Sequence, residues 1–361
     1  PRSPTNGPPS RIRGLRGYRG EMPTAALAEE ILTPGEGRIR ALIVSGGNPA
    51  VAFPDQELTL QALADLELLV VIDHRMTPTA EFAHYVVAPT LSLERADVPH
   101  LMDRWFRQPY TNYTEAIVER DGDVLNEWEV FWELASRLGS ELPLPGGSPD
   151  MSVRPDTDEI IDRTYAGSRM PLDEVRVNLR TVHPDMRQVA QPADEGATAK
   201  FTPAPDDFMA ELADFLAQST PMLGDLDVTD YPFRLVSRRL KHVLNSTGTE
   251  LPGLARKGTT NPAYMHPDDV TELDLVAGDL VEITSPRASV VGVVEPSDDI
   301  KRGVISMAHS GGERSLTDEK VRDIGTPTSR LVSADVGHDP VTGMVVSSAI
   351  PVAVRKAEAP V

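Results

Sequence analysis

The 361-residue chain contains no cysteine. That excludes disulfides, thiolate-bound zinc, cysteine nucleophiles and any iron–sulfur cluster held by this polypeptide. No run of about 18 apolar residues occurs, so no membrane span is expected. Positive charge is scarce: 35 Lys and Arg stand against 55 Asp and Glu, a formal net charge of −20. Such a surface repels phosphodiester backbones and argues against general nucleic-acid binding. Lysine is the rarer cation, with six against 29 arginines. The chain begins at Pro1 without an apolar leader. It therefore reads as a processed or partial polypeptide whose targeting information lies elsewhere.

What is present is unevenly arranged. Residues 1–20 hold five arginines and no acid. Rich in Pro and Gly, they read as an extended arm, either docking on another polypeptide or solvated. From 41 onward the pattern is rhythmic. ALIVSG and LLVVID (Leu68 to Asp73) are continuous apolar runs of buried-strand type, and YVVAP (Tyr85 to Pro89) is a third. Between them, Asp55 to Leu66 puts Leu58, Ala62 and Leu66 on one helical face. Thr77 to Ala83 opens with a capping Thr and with Pro78 at a favourable first helical position. Strand, helix, strand, helix, strand is the order of a parallel sheet with crossovers. Asn126 to Leu138 reads as an amphipathic helix with Trp128, Phe131, Trp132 and Ala135 as its core side.

Residues 143–230 read as a connecting region of short helices (TDEIIDRTYAG, PLDEVRVNL, DDFMAELADFLAQ) between Pro-rich loops. From 231 the pattern is mostly β. FRLVSRR is a strand. His266 to Leu273 is a short helix, and three strands follow through AGDLVEITSP, SVVGVVEP and GVISMAH. Leu280, Glu282 and Thr284 alternate with Val281 and Ile283, as in a half-buried strand. These segments predict a small β-barrel with one inserted helix.

Several groups carry chemistry. Gly46-Gly47-Asn48-Pro49 follows the first strand, where glycines let backbone N–H groups approach a phosphate; a plain tight turn is the alternative. Asp73 ends the second strand, where a carboxylate can accept two hydrogen bonds from a sugar or a guanine edge, or can cap the next helix. Ser237, Arg238, Arg239, Lys241, His242, Asn245 and Ser246 form a cationic cluster after the first barrel strand, either an anion site or salt-bridged surface. His266-Pro267-Asp268-Asp269 reads as a helix start rather than a metal set. His309-Ser310-Gly311-Gly312 is not GxSxG and has no marked base. No catalytic residue and no metal ligand is assigned.

Taken in order, RALIVSGGNPAVAFPDQ, LELLVVIDHRMTPTAEFAHYVVAPTLSLERAD, YPFRLVSRRLKHVLNS, NPAYMHPDDVTELDLVAGDLVEITSP, GVISMAH and DPVTGM resemble the carboxy-terminal half of a molybdopterin-dependent oxidoreductase. The resemblance is to the dimethyl-sulfoxide-reductase superfamily, which includes formate dehydrogenases and nitrate reductases, and it covers roughly residues 20–355. It implies an α/β fold class: an arm at 1–40, a parallel-sheet α/β domain at 41–142, the connecting region, then a double-psi β-barrel at 231–361. It implies a molybdenum or tungsten bis(molybdopterin guanine dinucleotide) cofactor. By position, Gly46, Gly47 and Asn48 resemble the loop near a dinucleotide phosphate. Asp73 resembles the acid that reads guanine, and Thr77 a residue of the same pocket. Ser237, Arg238 and Arg239 resemble the barrel loop on the cofactor, with His242, Asn245 and Ser246 beside the pterin. Asn261 and His309 resemble further contacts.

Three positions depart from the family pattern: His84 replaces a usual acid, Ser315 replaces a usual Asn before Leu316-Thr317, and Thr247-Gly248 replaces a usual aromatic. The iron–sulfur cluster and the protein ligand to the metal would lie in an amino-terminal half that this chain lacks. The resemblance thus implies a fragment, one product of a split chain or a separate subunit. Its partners would be that amino-terminal half or a catalytic subunit, together with electron-transfer subunits. The cytoplasm is the expected location, with the periplasm as the alternative. A cofactor-free scaffold or assembly subunit of the same fold, and a barrel-based hydrolase or decarboxylase acting alone, are the rival readings.

Overall fold

The computed structural model of the chain describes residues 8–18, 20–98, 106, 108, 110–168, 170–178, 180–182, 195–196, 198, 203–217, 229–249, 251–256, 258, 260–309, 311–313, 318–339 and 342–357. They divide into two units. One comprises Pro1–Val70, Met76–His84 and Pro203–Val361; the other comprises Val71–Arg75 and Tyr85–Thr202.

The described residues 8–18 of the arm are tied down by two arginines. Arg13 donates from Nε to the Glu29 carboxylate at 2.7 Å and from its other nitrogens to the carbonyls of Ala25 and Ala334. Arg11 donates to the Thr33 carbonyl at 2.6 Å. Both arginines grip helix α1 (Thr24–Leu32), and Arg11 serves the carbonyls that its C-terminal end leaves unpaired. Strand β1 (Ala41–Ser45) leads through the single-turn helix α2 (Pro49–Ala52) to α3 (Gln56–Ala64) and β2 (Leu68–Ile72). With β3 (Tyr85–Val87) these strands form a parallel sheet in the order β1-β2-β3.

Two expectations need correction. The first is that β1 is not buried along its length: Val44 is buried, while Ile43 is 42% exposed. As the terminal strand of a three-stranded sheet it lacks a neighbour on one side. The second is that the helix expected at Thr77 to Ala83 shrinks to a 3-10 turn, Ala80–Phe82. Thr77 does act as a cap, accepting from the Ala80 N–H at 3.2 Å.

The second unit contains β4 (Tyr110–Asn112), α4 (Glu127–Arg137), α5 (Thr157–Thr164), α6 (Leu172–Asn178) and β5 (Arg180–Val182), which pairs antiparallel with β4. The expected aromatic side of α4 is only partly right: Trp132 is buried but Phe131 is 39% exposed. The buried Glu129 explains the rotation. It accepts from the Asn126 N–H at 2.5 Å, from Arg120 at 3.0 Å and from Arg154, and so draws its own side of the helix inward. Helix α7 (Asp206–Ala217), in the third of the three short helical segments expected from the sequence, belongs again to the first unit.

Then comes the barrel. Its elements are β6 (Phe233–Arg238), α8 (Pro252–Ala255), β7 (Ala263–Met265), α9 (Pro267–Glu272), β8 (Leu280–Thr284), β9 (Ser289–Pro296), β10 (Val304–Ala308), α10 (Asp318–Ile324) and β11 (Ile350–Lys356). The strands close in the order β10-β6-β11-β8-β9-β7. Parallel pairs (β6 with β10, β7 with β9) are interleaved with antiparallel ones, in a barrel of double-psi type. Leu235, Met265, Ile283, Ile305 and Met307 fill the interior with no exposure at all. Val281 and Ile283 point inward along β8, as the alternation predicts. His266 caps α9 by accepting from the Asp268 N–H at 3.1 Å, so His-Pro-Asp-Asp is a helix start. More than one helix is inserted: α10 precedes β11 as α9 precedes β8.

Candidate cofactor site

The break after β1 is shaped by backbone and held from behind. Gly46 has φ 60°, the left-handed region that a Cβ disfavours, and a Cβ built there would meet nothing within 4 Å. The loop is thus open in front. Behind it, fully buried Thr79 donates its hydroxyl to Asn48 Oδ1 at 2.7 Å and accepts from the Ala50 N–H at 3.0 Å. The Thr79 N–H also donates to Asn48 Oδ1, at 3.3 Å. Gln56, also fully buried, donates to the Ala50 carbonyl at 2.9 Å and accepts from Arg330 Nε at 3.0 Å. Asp55 takes a two-pronged grip from Arg287, with both hydrogen bonds at 2.7 Å, and its N–H donates to the Val332 carbonyl at 2.8 Å. The acid and amide that begin α3 therefore fasten the loop to the barrel within the first unit.

In front of the loop lies a cavity of about 520 Å³. Gly46, Gly47 and Asn48 line one side, and Asn245, Ser246, Thr247 and His309 the other. An adjoining space of about 270 Å³ shares Val51, Ala52 and His309 with it and reaches Ser237. Arg239 donates to Asn245 Oδ1 at 2.9 Å, which braces the barrel-side loop. Asn245 itself sits at φ 55°. His309 donates its N–H to the Arg238 carbonyl at 3.1 Å. Burial, and secondarily the Arg239 guanidinium, hold the His309 side chain below the usual histidine range.

Other candidates are not among the residues that line the cavity. The Arg238 guanidinium carbon lies over the Tyr264 ring, 4.1 Å from its centre, and the buried Nε has no hydrogen-bond partner among the described residues. His242 is exposed. Asn261 is consumed inside the barrel: it donates to the carbonyls of Ala308 and Thr326, both at 2.7 Å, and accepts from the Thr326 N–H at 2.8 Å. Gly311 and Gly325 pass so close that a Cβ on either would strike the Asn261 amide. Thr77 is occupied with its cap. Asp73, in the second unit, is 8% exposed; its Oδ1 accepts from the Arg75 N–H at 3.1 Å and faces His74 Nδ1 at 3.5 Å.

Of the three departures, His84 is structural. Its Nδ1 accepts from the Leu69 N–H at 2.9 Å while its own N–H donates to the Leu69 carbonyl, so the ring serves as the acceptor that a carboxylate could also supply. Thr247 lines the cavity. Ser315 lies outside the described residues. Thr79 and Gln56 escaped the sequence reading. Their signal was a second Thr two residues after the first, and an amide behind a capping acid. Among the described residues no cluster of three or more His, Asp or Glu is placed to hold a metal. The open glycine, the Asn48 amide, the hydroxyls of Ser246 and Thr247 and the nearby Arg239 suit an anionic, phosphate-bearing group.

Residues 17–137 match the family described as molybdopterin oxidoreductase, and residues 233–347 match the molydopterin dinucleotide binding domain. The chain is 26% identical over 326 residues to the dimethyl sulfoxide/trimethylamine N-oxide reductase of Rhodobacter capsulatus, across 81% of this chain and 38% of that protein. It is 26% identical over 289 residues to the F420-dependent formate dehydrogenase subunit alpha of Methanocaldococcus jannaschii, across 77% of this chain and 39% of that one. The solved acetylene hydratase from Pelobacter acetylenicus shares the fold with a TM-score of 0.71 at 19% identity, over 93% of this chain and 47% of that chain. The chain thus spans less than half the length of these relatives. The α/β segment whose first strand runs into the open glycine loop, and the double-psi barrel that supplies the facing loop, thus coincide with the two matched families, and the chain carries a molybdopterin oxidoreductase domain and a molydopterin dinucleotide binding domain.

Proposed function

We propose that this chain is the cofactor-binding part of a larger molybdenum or tungsten oxidoreductase and that it holds a bis(molybdopterin guanine dinucleotide). The observation that carries the reading is the cavity in which Gly46, Gly47 and Asn48 face Asn245, Ser246 and His309. When bound, the metal centre of that group supplies two-electron redox or oxygen-atom transfer. The chain's own residues bind and orient. The glycine loop and the Asn48 amide receive phosphate oxygens. Asn245 and Ser246 offer hydrogen bonds to the pterin side, and Arg239 adds positive charge behind them. Asp73 has one oxygen engaged and keeps the other for the N–H edge of guanine. The metal ligand and any iron–sulfur cluster belong to a partner polypeptide, with electron-transfer subunits beyond it, and the assembly works in the cytoplasm.

The test is coexpression with a polypeptide that supplies the remaining length of the family. The purified assembly is analysed for pterin by fluorescence after oxidation, and for molybdenum and tungsten by mass spectrometry. Stoichiometric pterin and metal are expected. An assembly that forms without either refutes the reading and leaves the chain a scaffold.

A further inference from the structure

Asn48 is held by one end only. Its Oδ1 receives both the Thr79 hydroxyl, at 2.7 Å, and the Thr79 N–H, at 3.3 Å. A backbone N–H can only donate, so the atom facing it must be the carbonyl oxygen, and the orientation of the amide is fixed. Its NH2 then points away from Thr79, on a residue that lines the 520 Å³ cavity, and has no hydrogen-bond partner among the described residues. Thr79 is fully buried, and its hydroxyl is spent on both sides, donating to Asn48 and accepting from the Ala50 N–H at 3.0 Å.

We propose that Thr79 is a positioning residue that sets the Asn48 amide so that its NH2, beside the open Gly46, is presented to a phosphate oxygen of the ligand. The inference rests on the cofactor reading above and names the residue pair that makes the loop selective for a phosphate-bearing ligand. The chemistry is a one-sided choice. A carboxamide turned the other way would face a phosphate with its oxygen, acceptor against acceptor. The threonine disfavours that alternative, because its N–H can only donate and would meet the NH2 group donor against donor. The side-chain amide is thus oriented before any ligand arrives, and binding spends no free energy on ordering it.

Two substitutions separate this role from simple support of the fold. Asn48→Asp keeps an oxygen facing Thr79 and replaces the NH2 by a second carboxylate oxygen that accepts, carries charge and cannot donate. Thr79→Val keeps the buried shape but frees the amide and orphans the Ala50 N–H; Thr79→Ser restores the hydroxyl. The probes are guanosine diphosphate and guanosine, titrated calorimetrically into the 361-residue chain, with thermal melting measured alongside. Asn48→Asp is expected to melt with the wild type, to lose at least about tenfold in affinity for guanosine diphosphate, and to keep its affinity for guanosine. Thr79→Val should lose diphosphate affinity in the same selective way, and Thr79→Ser should recover it. Equal diphosphate affinity in Asn48→Asp and wild type, or a parallel loss for both probes, overturns the positioning role while the cofactor reading stands. A wild-type chain that binds neither probe overturns this inference, while the cofactor reading is decided by the pterin and metal content of the coexpressed assembly.

Discussion

The two sides of the cavity are built in opposite ways. On the α/β side, the loop at Gly46–Pro49 is backed by Thr79 and Gln56, neither with any exposure, and by the Asp55–Arg287 pair; the Ser329 hydroxyl donates to the Val51 carbonyl at 2.6 Å. On the barrel side, Asn245, Ser246 and Thr247 are exposed. They are braced by Arg239 on Asn245 and by a bridge between Leu244 and Thr247. A loop anchored through buried groups keeps its donors aimed whether or not a ligand is present. A loop held at its surface must be ordered when the ligand arrives, at a cost of about 0.5–1.5 kcal/mol per immobilised side chain. The difference assigns fixed geometry to the glycine-loop side and adaptation to the barrel side.

The largest effect should come from cutting the anchor behind the fixed side. Asp55 is buried at 4% exposure, and Arg287 answers both of its oxygens. Arg287→Ala leaves that carboxylate without its counter-charge, with the Leu58 N–H as its remaining donor, and should lower the stability of the chain by about 3 kcal/mol in urea denaturation. Adding Asp55→Asn should recover part of the loss, because the orphaned charge is then gone. A smaller effect is expected at the front of the same loop. Gly46→Ala meets no neighbour, so its cost is that of a Cβ at φ 60°, about 1–2 kcal/mol. If Gly46→Ala proves as costly as Arg287→Ala, the loop is strained by packing rather than held open, and the contrast between the two sides fails.

The fixed side was partly legible in the sequence and the barrel side less so, for reasons that can be named. Continuous apolar runs such as LLVVI give strands at once, and Val281 and Ile283 gave β8 its facing. By contrast β7 spans three residues, too few for a period. Strand β11 contains Pro351, which cannot donate to a ladder and disguises the strand, although its register with Arg234 is regular. The family resemblance grouped Gly46, Gly47, Asn48, Asn245, Ser246 and His309 with seven further residues, and in the structure these six line one cavity. It could not show that Arg238 turns onto Tyr264 or that Asn261 is spent on the carbonyls of Ala308 and Thr326. Side-chain direction depends on which strands become neighbours, and that is decided by the closure of the barrel.

The smallest effects belong to the adaptable side and test it through pH. Arg239→Ala removes an exposed hydrogen bond to Asn245 and should change stability by no more than about 0.5 kcal/mol at neutral pH. Its second consequence is electrostatic. His309 is held below the usual histidine range first by burial and then by the Arg239 charge. The folded chain therefore takes up this proton less readily than the unfolded chain. The stability tied to His309 is complete above the unfolded histidine value, about 6.5, and is lost as pH falls from there through the lower folded value. Melting temperatures followed from about pH 7.5 downward should show that acid-side loss in the wild type. His309→Gln should remove this part of the slope, and Arg239→Ala should remove only a fraction of it, because burial remains. If Arg239→Ala flattens the slope as fully as His309→Gln does, the charge rather than burial governs His309, and the barrel-side loop holds Arg239 more firmly than its exposure implies.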